Sequence, residues 1–204
     1  MAIARLPSRA ETTRGVILDA ALEEFSAFGF RRSSMESVAR RAGVSRATLY
    51  THWRGKGELF RALVERLHEE HLLAMKAIVD EERGDLESRL LALLEARYLR
   101  FVELTSSSPH AAELYDQHGR LCGDVARASQ ERSERLLARM LRQGAGDGEV
   151  DLDGIGLSAA RVAGALLDSA HGAKGEDPAV ATPEEFRERL RYAVRVLVRG
   201  LEAR

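Results

Sequence analysis

The sequence contains one cysteine, Cys122, and only four prolines among its 204 residues, and aromatic residues make up 5% of the chain. A single thiol excludes an internal disulfide and a cysteine-based zinc cluster, and is typical of proteins in a reducing compartment. The scarcity of aromatic residues disfavours a β-sheet, whereas Ala, Leu, Glu and Arg, which are abundant, favour helices. The composition therefore predicts an all-α protein.

Long apolar runs are also missing. No stretch approaches the roughly 20 apolar residues that cross a bilayer, and the first fourteen residues lack the apolar core of a secretory signal. Hydrophobic residues at 45% and charged residues at 31% are a globular balance, which excludes a disordered or collagen-like chain. We therefore expect a soluble, cytoplasmic protein with no membrane partner.

The net charge of −1 is unevenly distributed along the chain. Residues 1–57 contain ten Lys and Arg against five Asp and Glu, a net charge of +5, whereas the remainder carries −6. A basic N-terminal segment on an acidic body favours a polyanion such as DNA as the partner of that segment alone. The alternative is that these charges form a solvated surface.

Two short helices joined by a tight turn form the most informative pattern. A first helix of residues 13–29 ends at Gly29, and Ser33 with Glu36 predicts a capping box that opens the second. Gly43 lies in the turn, and Ser45 can cap a third helix of residues 46–52. The pattern is typical of a helix-turn-helix.

Apolar spacing and helix boundaries predict six further helices, which makes nine in all and no strand. Gly119 is expected to separate two of them, and one uninterrupted helix is expected over about 151–173. The six predicted ranges are 57–82, 86–105, 110–118, 121–143, 151–173 and 183–201.

Residues 13–60 resemble the DNA-binding head of the TetR family of transcriptional repressors. The resemblance depends on the order of Ile-Leu-Asp-Ala-Ala, Ala-Gly-Val-Ser, Thr-Leu-Tyr-Thr-His-Trp and a Lys followed by Gly-Glu-Leu. It implies a DNA-binding domain at residues 1–55 and a ligand-binding and dimerisation domain at 56–204. It also implies a homodimeric repressor that a small-molecule effector releases from its DNA operator. Two identical heads related by a twofold axis would bind a palindrome.

The third helix has the chemistry that base recognition requires. Leu49 and Trp53, four residues apart, can pack inward, and Trp53 stands where the family usually has Phe. Arg46 can pair with guanine, and Ala47 and Thr48 can contact a thymine methyl group. The predicted DNA-binding residues are Ser33, Ser34, Arg46, Ala47, Thr48, Tyr50, Thr51, His52 and Lys56.

The residues of this set outside the base-reading positions are predicted to contact the DNA backbone. Tyr50 and His52 can reach phosphates, and Ser33 and Ser34 open a helix whose first amides can face one. Lys56 stands at the position of the family's phosphate-contacting lysine, as the resemblance implies. Glu36, where the family often has a basic or neutral residue, is interpreted as a cap. The alternative is a basic three-helix bundle without a DNA-binding role.

Residues 56–204 contain weaker functional patterns. A largely apolar pocket would favour a hydrophobic or aromatic ligand over a metal or a sugar, although the same residues at helical spacing can be plain core. The predicted pocket residues are Leu72, Met75, Tyr98, Phe101, Leu114, Tyr115 and His118. The last two helices could form a four-helix dimer interface or pack only within the protomer. The predicted interface residues are Leu166, Ala170, Leu190, Val194 and Leu197.

The sequence contains few motifs that would support another functional class. Neither a phosphate-binding loop nor a Gly-x-Ser-x-Gly nucleophile motif occurs, and Asp168 with His171 is a pairing that helices produce by accident. We expect no catalytic residue, cofactor or metal. A metal-responsive regulator using scattered histidines, a redox regulator using Cys122, and a helical enzyme are the alternatives. The histidines in question are His68, His71, His110, His118 and His171.

Overall fold

The computed structural model describes residues 9–81, 83–175 and 182–201, and over these ranges it contains nine α-helices and no β-strand. The all-α prediction is therefore confirmed. The helices are α1 Arg9–Arg32, α2 Met35–Arg41, α3 Arg46–His52, α4 Lys56–Glu81, α5 Leu86–Ser106, α6 Ala111–Gly146, α7 Leu152–Ile155, α8 Ala159–Ala173 and α9 Pro183–Leu201.

Two helix boundaries differ from the prediction. The segments expected at 110–118 and 121–143 are joined in α6, which continues through Gly119 and is instead kinked at Cys122, where the backbone is not helical (φ −132°, ψ 17°). A glycine inside a helix costs only about 1 kcal/mol relative to alanine, so tertiary packing can carry the helix across it. The expected helix at 151–173 is divided into α7 and α8, because Gly156 adopts a left-handed conformation (φ 64°) and Ser158 caps α8.

The capping box of α2 lies one residue beyond the predicted position. Ser34 is the N-cap: its hydroxyl accepts the Ser37 N–H at 3.0 Å, and the Ser37 hydroxyl accepts the Ser34 N–H at 3.0 Å. The Ser33 hydroxyl is buried and donates to the Gly29 carbonyl at 2.6 Å. The predicted pairing of Ser33 with Glu36 is therefore wrong, because Ser33 faces the interior.

The chain divides into two compact units. We name the residues up to Arg66 together with 108–123 the head, and 67–107 together with the residues from 124 onwards the body. The predicted domain boundary after residue 55 stays a prediction. By packing, the first turns of α4 and the start of α6 belong with the head.

The core of the head is built on α1 and its neighbours. Ile17, Val38, Leu49 and Leu59 are all fully buried. An aromatic cluster lies beside them, in which the Phe25, Phe30 and Phe60 rings are 5.3 to 5.7 Å apart between centroids. This core holds the helix-turn-helix in place.

The core of the body is formed by buried leucines and valines from α4, α5, α6, α8 and α9. Four of the predicted interface residues, Leu166, Ala170, Leu190 and Val194, are buried in it to 1% exposure or less. Leu197 is partly buried and packs against the same cluster. Their apolar spacing is thus explained within one chain. Among the helices that the structure describes, none has the length and hydrophobicity of a bilayer-spanning segment.

Candidate nucleic-acid interface and effector region

The helix-turn-helix is formed by α2, a tight turn and α3. The turn contains Gly43 at φ 66°, a left-handed conformation that glycine adopts without strain. Ser45 caps α3 by accepting the Thr48 N–H at 3.0 Å. The predicted turn and cap are therefore both present.

The two faces of α3 differ in the expected way. Leu49 and Trp53 are buried, which confirms that they pack inward. The side chains on the outward face are exposed or half-exposed and predominantly polar. This face comprises Arg46, Ala47, Thr48, Tyr50, Thr51 and His52. The structure thus brings together all six DNA-binding residues that were predicted within α3.

Hydrogen bonds fix two threonine side chains on this face. The Thr48 hydroxyl lies 2.8 Å from the Ser45 hydroxyl, and the Thr51 hydroxyl donates to the Thr48 carbonyl at 2.6 Å. Because both hydroxyls already have partners within the helix, methyl contact suits these threonines better than hydrogen bonding to a base.

Arg46 contacts two side chains of its own chain, Glu36 and Tyr50. Its guanidinium forms an ion pair with the Glu36 carboxylate, and its Cζ lies 5.4 Å from the centre of the Tyr50 ring. Interaction with Tyr50, and then with Glu36, raises the pKa of Arg46. The interpretation of Glu36 as a cap is wrong, since Ser37 has that role. Glu36 instead forms an exposed ion pair with the predicted base-reading arginine.

Lys56 has a different environment from the one that phosphate binding suggests. Its ammonium donates to the carbonyl oxygens of Phe30 at 2.6 Å, Ser33 at 2.8 Å and Arg31 at 3.2 Å. An ammonium has three N–H donors, so these carbonyls match its full capacity. Burial lowers the pKa of Lys56, against the opposing effect of Glu113. The geometry favours a positioning role for Lys56 at the junction of α1 and α2.

One basic residue near α3 is absent from the predicted set. The Arg14 guanidinium carbon lies 4.9 Å from the centre of the Trp53 ring, at the end of the third helix. This places an exposed cation beside the predicted DNA-binding face. The contact joins residues far apart in the chain, so only the net basic charge of the segment could have indicated it.

The predicted pocket residues divide between the two units. Leu114, Tyr115 and His118 belong to the head, whereas Leu72, Met75, Tyr98 and Phe101 belong to the body. Leu72, Met75 and Tyr98 are buried in the body core, and Phe101 is partly buried. Within the body, the structure brings Tyr98 and Phe101 together around Lys174, whose ammonium lies 5.2 and 5.0 Å from the two ring centres.

The histidines are placed among polar and cationic groups. The rings of His68 and His71 lie 5.1 Å apart, and the His71 Nε2 is 2.9 Å from the Ser129 hydroxyl. Burial, with Arg97 and other nearby cations adding to it, lowers the pKa of His71 to about 3. His71 is therefore neutral at physiological pH. Within the described ranges, no group of three His, Cys, Asp or Glu side chains is placed to hold a metal ion, and Cys122 is buried.

Comparison with known proteins agrees with the helix-turn-helix. Residues 17–63 match the family model of bacterial regulatory proteins, tetR family. The chain is 29% identical over 170 residues to the probable HTH-type transcriptional regulator ArpR of Pseudomonas putida, covering 74% of this chain and 76% of ArpR. It is 27% identical over 161 residues to the HTH-type transcriptional regulator TtgR of the same species, with the same two coverages.

Solved structures share the fold along nearly the whole chain. SmeT, the repressor of the Stenotrophomonas maltophilia multidrug efflux pump SmeDEF, is 22% identical with a TM-score of 0.65, covering 96% of this chain and 93% of SmeT. A SmeT complex with triclosan has a TM-score of 0.66 at 20% identity, covering 94% and 92% of the two chains. ArpR, TtgR and SmeT are regulators rather than enzymes, so the enzyme alternative is set aside.

The Lys56 geometry generates a stability prediction. Lys56→Met should lower the free energy of unfolding of the head by about 1 to 3 kcal/mol, because it leaves partly buried carbonyls without donors. Trp53, the one tryptophan of the chain, lies in the head, so its fluorescence during denaturant unfolding measures this unit. Arg54→Met, at an exposed neighbour, is the control and should change the free energy by less than about 0.5 kcal/mol. Equal losses in both variants would contradict the positioning role.

Proposed function

Because the chain belongs to the TetR family of transcriptional regulators, we propose that it is a ligand-responsive repressor that binds a palindromic operator as a homodimer. The observation that carries this proposal is the capped helix α3, which buries Leu49 and Trp53 and exposes six side chains suited to the major groove. Such a repressor acts in the cytoplasm, where bacterial DNA lies. The effector that releases it is a small hydrophobic or aromatic molecule.

DNA recognition divides between base-reading and positioning groups. Arg46 is the candidate for bidentate pairing with guanine, and Tyr50 and His52 are candidates for phosphate contact. On binding, Arg46 would exchange the Glu36 carboxylate for a base edge. Since Glu36 repels phosphate, non-specific DNA that offers Arg46 no guanine should gain less from this exchange. The Glu36 ion pair therefore supports selectivity rather than affinity.

The dimer surface is proposed on the outward faces of α8 and α9. Tyr192 and Val196 are 58% and 73% exposed and lie four residues apart, so they share one face of α9. On α8, Ala160 is exposed and Gly164 is half-buried at the same spacing, which allows a partner helix to approach closely. Two such helices from each protomer would form a four-helix bundle. The proposed dimer surface stays on the two predicted helices. It is formed by their exposed residues, because most of the residues predicted at first are buried within the chain.

The release mechanism is proposed to act through α4. This helix runs without interruption from Lys56 to Glu81, with Leu59 in the head core and Leu72 and Met75 in the body core. A ligand that binds better to a dimer whose heads are wrongly spaced for the operator shifts the population towards that state. Reciprocity then requires the operator to weaken ligand binding by the same factor. SmeT, which binds triclosan, supports a small-molecule effector for this chain.

The test of the function is selection of bound DNA from a random pool by the full chain. We expect an inverted repeat whose half-sites are separated by about one helical turn or more, bound by an even number of protomers with strong salt dependence. Enrichment of a single unrepeated site by one protomer would overturn the dimeric assignment. Absence of any enrichment would overturn the repressor function.

Substitution of Arg46 tests base reading. Arg46→Ala should cost about 1 to 3 kcal/mol in binding the selected operator and much less on random DNA, because only base contacts distinguish the two. Competition binding at fixed salt measures both affinities. Arg142→Ala, at an exposed arginine of the body, serves as the control and should leave both unchanged. If Arg46→Ala weakens both DNAs equally, Arg46 is a phosphate contact.

A pair of charge substitutions separates the dimer surface from the core. Val196→Asp should give a folded monomer with weak operator binding, because it places a carboxylate at the centre of the proposed apolar contact. Leu166→Asp should instead unfold the body, since Leu166 is only 1% exposed within its own chain. Sedimentation velocity and circular dichroism distinguish these outcomes. A Val196→Asp protein that stays dimeric would rule out this face of α9.

A further inference from the structure

Two cations in the body have no acidic partner among the residues that the structure describes. Arg97 is on α5 and Lys174 is the C-cap residue of α8, and both are partly buried. Neither forms an ion pair with any described carboxylate, unlike Arg89, Arg132 and Arg187, which each have one. Partly buried cations without a counter-ion are costly to maintain, so their place in the fold requires an explanation.

The two cations converge on one aromatic ring. The Arg97 guanidinium carbon lies 5.0 Å and the Lys174 ammonium 5.2 Å from the centre of the Tyr98 ring. The same ammonium is 5.0 Å from the centre of the Phe101 ring. The Tyr98 hydroxyl donates to the Leu167 carbonyl at 3.2 Å, which holds the ring against α8. Cationic groups and aromatic rings thus lie side by side.

Among the residues that the structure describes, these two cations use little of their hydrogen-bonding capacity. The buried Arg97 Nε has no hydrogen-bond partner, and its Nη2 donates only to the Gln130 Oε1 at 3.5 Å, a long distance for this bond. Within the described ranges the Lys174 ammonium has no hydrogen-bond acceptor. Burial, with Arg97 adding to it, lowers the pKa of Lys174 to about 8. With respect to the described residues, both groups therefore have N–H donors available for an acceptor from outside the chain.

We infer that Arg97 and Lys174 bind the carboxylate of a small organic anion whose apolar part contacts Tyr98 and Phe101. A guanidinium offers paired N–H donors to a carboxylate, and an ammonium adds a point charge. Two aromatic rings beside the cations favour an aromatic carboxylate over a compact inorganic anion. The inference depends on the proposed function only in identifying this anion with the effector.

Neighbouring charges favour a single negative charge on the ligand. His171 is on α8, its ring centre lies 6.4 Å from that of Tyr98, and partial desolvation and then Lys174 lower its pKa. Asp168, on the same helix, acts in the opposite direction on His171 and raises the pKa of Tyr98 in addition to the larger effect of burial. Two cations and one acid have a net charge of about +1, which a monoanion neutralises. A second negative charge would be repelled by Asp168.

The test compares 1-naphthoate with 1-naphthylmethanol, which share a ring system and differ in charge, by calorimetric titration of the full-length protein. We expect naphthoate to bind about 10- to 100-fold more tightly, as charge-assisted hydrogen bonds would give. Arg97→Met and Lys174→Met should each reduce this ratio while leaving the affinity for the alcohol nearly unchanged. Arg127→Met, at an exposed arginine of α6, is the matched control and should keep the ratio.

A second readout separates ion pairing from a structural role of Lys174. A bound carboxylate raises the pKa of Lys174 from about 8 towards its ordinary value of 10.5, so naphthoate binding at pH 8.5 should take up protons from the buffer. At pH 7 the lysine is already mostly protonated and uptake should be small. Titrations in buffers of different ionisation enthalpy measure this uptake, and Lys174→Met should abolish it.

The outcomes separate this inference from the proposed function. Equal affinities for naphthoate and the alcohol, or no naphthoate binding, would overturn the anion site, as would inorganic phosphate binding as tightly as naphthoate. Naphthoate that binds through Arg97 and Lys174 and weakens operator binding supports both site and effector. Binding through these residues with no change in operator affinity would support the site and overturn its regulatory role. Failure to bind any operator would count against the repressor function alone.

Discussion

The ammonium of Lys56 and the three carbonyls that it binds hold together the part of the molecule on which recognition depends. Lys56 is the first residue of α4, four residues after α3 ends, and its partners lie where α1 ends and α2 begins. One side chain therefore joins the start of α4 to the start of the helix-turn-helix. Its Nζ also lies 4.5 Å from the centre of the Phe30 ring, within the aromatic cluster of the head core. A change in the direction of the first turn of α4 relative to the end of α1 would strain these bonds.

Gly29 explains why this junction can be so compact. It adopts φ 76°, and a Cβ at this position would collide with the Glu113 carboxylate, whose other oxygen accepts the Arg31 N–H at 2.6 Å. The Ser108 hydroxyl donates to the Ser26 carbonyl at 2.8 Å on the same side. The start of α6 is thus bonded to the end of α1 within the head. Residues of both α4 and α6 belong partly to the head and partly to the body, and α6 is kinked at Cys122, one residue before its head part ends.

The helix-turn-helix could be predicted because its signals are local. A cap at Ser45, a glycine in the turn and an apolar pair four residues apart each act over less than two turns of helix. The errors arose where the deciding contact is distant. Ser33 and Ser34 are equally good caps in sequence, and only the burial of the Ser33 hydroxyl against Gly29 distinguishes them. The ion pair of Glu36 and the carbonyl contacts of Lys56 likewise involve other helices, which spacing does not reveal, and the DNA contact of Lys56 stays a prediction.

In the body, the sequence predicted which helix faces are apolar but not what covers them. The stripe that contains Leu166 on α8 and the stripe that contains Val194 on α9 would look the same at a dimer interface or in the core of one chain, since both remove apolar surface from water. The structure places these residues in the core, and this leaves Tyr192 and Val196 as the apolar residues of α9 that lack cover within the described protomer.

The polar interior of the body has a consequence for how an effector could act. Partial removal of the Arg97 and Lys174 charges from water, with no counter-ion among the described residues, should weaken the unliganded fold. A bound anion would offset this desolvation cost. The gain would be largest in the arrangement of the helices that brings the two cations closest together. Since Arg97 is on α5 and Lys174 ends α8, neutralising them changes the relative free energy of arrangements that differ in the α5 and α8 packing. If the inferred anion is the effector of the proposed repressor, this cost in the free protein would be a source of the differential affinity that release requires.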